Sequence, residues 1–392
     1  MEPIGTKSKD SLVKASVPPC VPCGSSSSSA AIQSSPQASN LASEAEINTS
    51  VNAAINKEDR YSRQVLFKEI GPEGQRRLSQ ARVVIVGCGA TGSVLASLLA
   101  RAGVGTLRIL DRDYVEPSNL QRQSLFDESD ARESVPKAIA AARQIPRFNS
   151  RIVVEPHVAD LTPQNADSLL GAADLILDGT DNFETRYLIN DYAIKNSLPW
   201  IYAAAVGSYA VTMNILPGET ACLACIFPES PRGTIETCET AGILNSAVNL
   251  VASIAATEAL KFLVGARAKM RRTLLSWDVW SNEQAEVAAA CPRAGCQACS
   301  QRDFVHLAGE GRPHITLCGR DSVQIHERQR PVDFSEISAR LEPLGQVRHN
   351  AFVLKFWRDP YEITLFPDGR AIIKGTTDAA IARSLYARYI GS

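Results

Sequence analysis

What this 392-residue sequence lacks narrows its function before any motif is considered. It has no surplus of either charge, since 41 Lys and Arg stand against 42 Asp and Glu. A nucleic-acid or anionic-membrane partner would call for a basic excess, so neither is expected. It has no long uncharged apolar run. The most apolar stretch, Leu250 to Val264, carries Thr257, Glu258 and Lys261 and is short for a bilayer crossing. There is no secretory pattern, because Lys7, Lys9 and Lys14 are followed by Ser and Pro rather than an apolar core. The five histidines show neither metal nor triad spacing, and no internal repeat is evident. The expectation is a cytoplasmic protein.

The organisation that remains has three parts. Residues 1–57 are rich in Ser, Ala, Pro and Asn, including the run Ser25 to Ser29, with too few large apolar residues to offset ordering entropy. A disordered tail is expected there. Over residues 58–300 short β-branched runs alternate with helical patterns. Ala81 to Val86, Leu107 to Leu110, Ile152 to Val154, Asp174 to Leu177, Trp200 to Ala204, Tyr209 to Ile215 and Thr273 to Trp277 read as strands. Ala90 to Arg101, Ser134 to Ile145, Phe183 to Asn196 and Asn245 to Val264 read as helices. Such alternation predicts a doubly wound, Rossmann-like α/β domain. Residues 301–392 read as a small α+β module: a strand over Ile315 to Ile325, a helix over Asp333 to Leu344, strands over Phe352 to Trp357 and Tyr361 to Phe366, a turn at Pro367-Asp368-Gly369, a strand through Ile373, and a helix over Asp378 to Tyr389. The module's pattern does not indicate its role.

Gly87-Cys88-Gly89-Ala90-Thr91-Gly92 follows a strand and opens a helix. Glycines in that position let backbone approach a phosphate, and the helix N-terminus favours its charge. Asp111, after the next strand, is placed to hold ribose hydroxyls. These features predict a nucleotide but do not choose between NAD and ATP. The neighbours lean to ATP. Attack on an α-phosphorus needs cations and a metal to balance charge on the departing pyrophosphate. Asp113, Asn119, Arg122, Gln123 and Lys137 lie downstream, and Asp181 lies past the strand Asp174 to Leu177, where it is a candidate Mg²⁺ ligand. Asp181 could instead cap the helix that starts near Phe183.

The cysteine pattern is not that of a disulfide scaffold. Cys222-x-x-Cys225 and Cys296-x-x-Cys299 form two tight pairs separated by a long segment, which fits a tetrahedral Zn²⁺ site with four thiolates. Redox pairs are the alternative. Cys88 reads as a small packing residue, Cys318 as a buried strand-end thiol, and Cys20 and Cys23 as a stray pair within the tail.

The motifs Arg60-Tyr61-Ser62-Arg63-Gln64, Gly87 to Gly92, Asp111-Arg112-Asp113, Ser118 to Gln123, Pro136-Lys137 and Asp178-Gly179-Thr180-Asp181-Asn182 together resemble the ubiquitin-activating superfamily, in particular its ThiF/MoeB/HesA branch. The resemblance spans about residues 59–300 and keeps the order of the motifs. It implies that Asp111 binds ribose, that Asn119, Arg122 and Lys137 contact the triphosphate, and that Asp181 holds Mg²⁺. It also implies that Arg63 reaches the ATP of a second subunit, and hence a homodimer. Cys238 matches a crossover-loop cysteine that in some members attacks the activated carrier or relays sulfur, although Glu236 and Glu239 flank it and disfavour a thiolate. Both a nucleophile and a structural loop cysteine remain open. The implied reaction is adenylation of the C-terminal Gly-Gly carboxylate of a ubiquitin-like sulfur carrier of the ThiS/MoaD type, with a persulfide or thiol then forming the thiocarboxylate. Two other classes stand beside it. An NAD-dependent oxidoreductase would need a proton-relay residue on a partner domain, and the sequence offers none. A non-catalytic adaptor would not need Arg63, Asn119, Arg122, Lys137 and Asp181 all present.

Overall fold

Five short strands with apolar residues on successive positions build the first half of a sheet: β1 (Arg82–Val86), β2 (Thr106–Leu110), β3 (Val153–His157), β4 (Leu175–Asp178) and β5 (Trp200–Val206). They belong to a computed structural model that describes residues 59–228, 241–309, 315–318, 322–325 and 332–391. The tail expected to be disordered lies outside the described residues. The five strands run parallel in the order β3-β2-β1-β4-β5. Side chains alternate across the sheet. Val83 and Ile85 pack under the helices Ala90–Ala102, Lys137–Phe148 and Asn245–Leu263, while Val84 and Val86 pack under Phe183–Lys195 and Ala166–Leu170. Burial on both faces explains why β1 and β4 read as continuous apolar runs, whereas the edge strand β3 keeps Glu155 and His157 and leaves Val153 exposed.

The sheet continues as β6 (Tyr209–Ile215), β7 (Thr273–Asp278) and β8 (Glu283–Ala288), all antiparallel. β5 and β6 join through Gly207-Ser208. The alternation of strands and helices did not announce β8, whose residues are all exposed and carry no apolar face. The apolar helix also differs from expectation. It spans Asn245–Leu263, 19 residues, and by length and apolarity alone could cross a bilayer. Here Ala247, Val248, Val251, Ala252, Ala255 and Ala259 are buried in the same core as Leu95 and Leu99 of the helix Ala90–Ala102.

A second, antiparallel sheet has the order β11-β12-β13-β14-β10-β9. Its strands are β9 (Ile315–Cys318), β10 (Ser322–Ile325), β11 (Gln346–His349), β12 (Leu354–Arg358), β13 (Tyr361–Leu365) and β14 (Ala371–Lys374). The single strand expected over Ile315 to Ile325 is in fact two, β9 and β10, paired with Ile315 opposite Ile325. Gly319-Arg320-Asp321 stand between the two halves in the sequence, an interruption of turn-type residues that the single-strand reading passed over. Helices Phe334–Leu341 and Ala379–Tyr389 cover the sheet, each with its N-cap aspartate, Asp333 or Asp378, accepting two backbone N–H bonds.

Register decides where chemistry can occur. Val86 lies level with Leu110 on one side and Asp178 on the other. Three loops, starting at Gly87, Asp111 and Gly179, therefore leave the same edge of the sheet at neighbouring points. The strand order reverses direction between β1 and β4, and that crevice is where open α/β sheets receive ligands.

Candidate active site

The Gly87 loop is the hub of the site. Gly87 has φ +86°. A Cβ on Gly92 would lie 1.9 Å from the Gly87 carbonyl oxygen, and one on Gly87 would lie 2.6 Å from that of Gly179. Gly87, Gly92 and Gly179 thus lock two loops together, backbone against backbone. Gly89 differs. The nearest heavy atom to a Cβ there would be Gln123 Nε2, at 3.9 Å. Gly89 leaves room at the N-terminus of helix Ala90–Ala102, where a phosphate can approach backbone N–H groups.

Asp111 follows β2 and is 9% exposed. Its Oδ2 accepts the Cys88 N–H at 2.6 Å and its Oδ1 accepts the Asp113 N–H at 2.7 Å. The residue singled out for a ribose therefore also ties the glycine loop to its own loop. Burial pushes its carboxyl above the ordinary value, with Lys137 opposing. Cys88 is fully buried, and burial beside Asp111 pushes its thiol far up, which fits a packing residue and not a nucleophile. Lys137 is itself buried, at 4% exposure, with Nζ 3.3 Å from Asp113 Oδ2. A lysine held there is no solvated surface charge.

Asn119 ends a short 3₁₀ turn, Pro117–Asn119, and is fully buried. Its Oδ1 accepts the Glu116 N–H at 3.1 Å, and its own N–H bonds the Glu116 carbonyl at 2.9 Å, with the Glu116 carboxylate facing it in a capping-box arrangement. Asn119 Nδ2 and Gln123 Oε1 are buried without a hydrogen-bond partner among the described residues. Two orphaned polar atoms beside an open glycine are what a displaced polar ligand would leave behind, so these residues fit a nucleotide. Arg122 stands half-exposed at the rim, with one guanidinium nitrogen donating to Ser118 O at 2.8 Å.

Asp181 is exposed in the third loop. The helix Phe183–Lys195 is capped by Asn182, whose Oδ1 accepts the Thr185 N–H, so Asp181 is not needed as the cap. The loop owes its shape to a pair that the sequence did not single out. Arg186 Nε donates to Asp178 Oδ2 at 2.8 Å, both side chains being buried, and Arg186 Nη2 donates to Thr180 O at 2.6 Å. Asp178 Oδ1 takes the Thr180 N–H and hydroxyl. No local pattern marks Arg186, one arginine among several in helices; only its place beside the end of β4 gives it this part.

Two expected residues are not brought together with these. Arg63 is exposed on the turn Ser62–Val65. Its neighbour Gln64 bonds Ala102 O, at the far end of helix Ala90–Ala102. That helix is about 20 Å long, so Arg63 stands well away from its own chain's glycine loop. Cys238 lies outside the described residues, and for Cys318 only its backbone place at the end of β9 is described.

The four expected metal cysteines do converge. Cys222 Sγ is 3.7 Å from Cys225 and 3.6 Å from Cys296, and Cys225 is 3.4 Å from Cys299. All four sulfurs lie within 4.8 Å of one another. A tetrahedron with Zn–S bonds of about 2.3 Å has S···S edges of about 3.8 Å, so the donor set fits one Zn²⁺. Cys222, Cys225 and Cys296 are buried in the core on the second face of the sheet.

Residues 61–298 match the sequence model of the ThiF family. A sulfur carrier protein ThiS adenylyltransferase of Bacillus subtilis is 44% identical over 336 residues, 85% of this chain and 99% of that protein. A sulfur carrier protein adenylyltransferase of Thermus thermophilus is 39% identical over 56% of this chain and 83% of its own. Among solved structures, E. coli MccB with ATP has the same fold at 22% identity, with a TM-score of 0.57 over 67% of this chain and 81% of that one.

Proposed function

The chain belongs to the ThiF family, and from that premise we propose how its residues divide the work of an ATP-dependent adenylyltransferase that activates a sulfur carrier protein. A carboxylate oxygen at the carrier's C-terminal Gly-Gly attacks the α-phosphorus of ATP. The bond from that phosphorus to the β-bridging oxygen breaks, and pyrophosphate leaves. Nothing in this reaction requires a general base; it requires alignment and charge neutralisation. The observation that carries the assignment is the buried Asn119 amide without a partner, on the residue whose carbonyl bonds Gln123, which in turn faces the open side of Gly89. Gly89 and the helix N-terminus receive phosphate. Asn119 Nδ2, Lys137 and Arg122 take phosphate oxygens, and Asp111 takes the ribose. Asp181 would hold Mg²⁺, whose charge would balance that of the departing pyrophosphate. Arg63 comes from a second copy of the chain, a reading supported by its exposure far from its own glycine loop. Zn²⁺ on Cys222, Cys225, Cys296 and Cys299 has a structural part. A persulfide then displaces AMP from the adenylate to give an acyl persulfide, and attack of a second thiol on its outer sulfur releases the thiocarboxylate and leaves a disulfide, with Cys238 a candidate relay.

The test is ATP–pyrophosphate exchange dependent on a small protein ending in Gly-Gly. Asp181→Ala should abolish exchange and leave the thermal transition unchanged, because the side chain is exposed. Retained exchange would remove its metal role. Mixing Arg63→Ala chains with Asp181→Ala chains should restore part of the exchange that neither has alone, since one site of a mixed dimer is then complete. No recovery would count against Arg63 acting across subunits.

A further inference from the structure

The second sheet lies against the nucleotide site, and several of its contacts gather on and around one loop. Between Asp111 and Asn119 that loop is held at three points. Near its start, Arg112 Nη1 is 3.0 Å from Asp160 Oδ1, and Asp160 is in turn 3.4 Å from Arg370 Nη1, which reaches it from the start of β14. Burial would raise the Asp160 carboxyl, but Arg112 and Arg370 outweigh it and hold the group below its ordinary value. In the middle, Tyr114 is 5% exposed and packs with Val353, Phe366 and Ile372 of the second sheet. At the end, Lys374 Nζ lies 2.7 Å from Glu116 Oε1. Lys374 is held for that contact by β13, since Glu362 pairs directly opposite it with Oε1 3.8 Å away.

We propose that Lys374 is a positioning residue for adenylation: acting through Glu116, it sets the direction of the Asn119 amide that meets the nucleotide. The proposal rests on the reading that Asn119 binds ATP. The relay is short. Lys374 fixes Glu116, whose carbonyl accepts the Asn119 N–H at 2.9 Å with its carboxylate facing the same N–H in a capping box, while Asn119 Oδ1 accepts the Glu116 N–H. An asparagine whose Oδ1 is committed in this reciprocal cap can only present Nδ2 outward, and Nδ2 is the buried atom with no partner. Lys374 has a second effect. Glu116 stands three residues from a phosphate-binding amide, and without the ammonium its charge would oppose an incoming triphosphate. Neither role serves the second sheet's own core, whose buried residues, such as Phe356, Leu365 and Leu385, form a separate cluster. The sheet thereby acquires a function in the first step of the reaction, as a buttress for the loop Asp111 to Asn119.

The experiment uses the full chain with Lys374→Met, Lys374→Arg and, as a benchmark, Asn119→Ala. Calorimetry with the non-hydrolysable analogue AMPCPP and Mg²⁺, without carrier, should show Lys374→Met weakened about tenfold. Lys374→Arg should recover most of that affinity. In exchange assays the KM for ATP should rise while the KM for the carrier stays unchanged. In the nucleotide-free protein, amide hydrogen exchange at Asn119 and Leu120 should quicken in Lys374→Met and return to normal in Lys374→Arg. Were Lys374→Met to misfold, Glu116→Gln takes its place. It keeps an acceptor for Asn119 but loses the attraction to Lys374, and its amide exchange should quicken likewise. If Asn119→Ala binds the analogue normally, the reading of Asn119 as a nucleotide ligand fails, and the relay with it. If Asn119→Ala is weakened while Lys374→Met binds normally, or exchange at Asn119 does not change, the positioning role of Lys374 is overturned and the nucleotide reading survives.

Discussion

Replacing Arg186 with Met separates stability from function in a way the buried geometry makes specific. Asp178 is fully buried, and the Arg186 guanidinium at 2.8 Å is its cationic partner. Removing one member of a buried pair and leaving the other charged costs about 3–5 kcal/mol. Asp178 would still accept the Thr180 N–H at 2.8 Å and its hydroxyl at 2.6 Å. The lower end applies, so Arg186→Met should lose about 3 kcal/mol in urea denaturation. Asp178→Asn in that background removes the stranded charge and keeps an acceptor for Thr180, so the double variant should regain stability over the single one. Exchange activity should not follow. Both variants lack the bond from Arg186 Nη2 to Thr180 O, the residue before Asp181. On the proposed role of Asp181, a displacement of about 1 Å at its carboxylate is enough to lower kcat by about 100-fold. Two results would refute the reasoning: a double variant no more stable than Arg186→Met, or normal exchange in either.

The glycines of the loop should divide by purpose. Gly92→Ala, with its Cβ 1.9 Å from Gly87 O, should cost about 3 kcal/mol or more in urea denaturation. Gly89→Ala should unfold normally yet weaken ATP binding by calorimetry; the reverse pattern would contradict the assignment. Metal analysis should find about one Zn per chain, and chelation should lower the melting temperature. A metal-free protein that melts unchanged would overturn the four-cysteine site. Asp191, buried where it accepts the His306 and Leu307 N–H groups, has its pKa pushed up to about 6, mainly by burial. The folded state therefore holds this proton more tightly than the unfolded chain, and stability falls as pH rises from about 4 to 6. Asp191→Asn keeps the acceptor and should gain about 2 kcal/mol at pH 7.5 but nothing at pH 4, read from urea midpoints at the two pH values.

Much of the adenylation site was legible because its signals are local. A β-branched run, a Gly-rich turn and a helix within about twenty residues state their own geometry. So do two Cys-x-x-Cys pairs, since a shared metal is their common solution. The second tier was not legible. Arg186 carries no mark until β1 and β4 pair with Val86 level with Asp178. Glu116 and Lys374 are ordinary surface-type residues until β14 is laid against the loop 258 residues before it. The division between β9 and β10, by contrast, was legible in Gly319-Arg320-Asp321 and was missed.

By itself, then, the sequence determined most of the strands and helices of the α/β domain, the glycine turn after β1, and which four thiols come together. Tertiary structure alone decided which of its charges are buried, with whom they pair, and that Asp111 braces the glycine loop. The reason is range. Periodicity and spacing are set over a few residues of chain, whereas the partner of a buried charge is chosen by strand order and register, which bring together residues far apart in sequence.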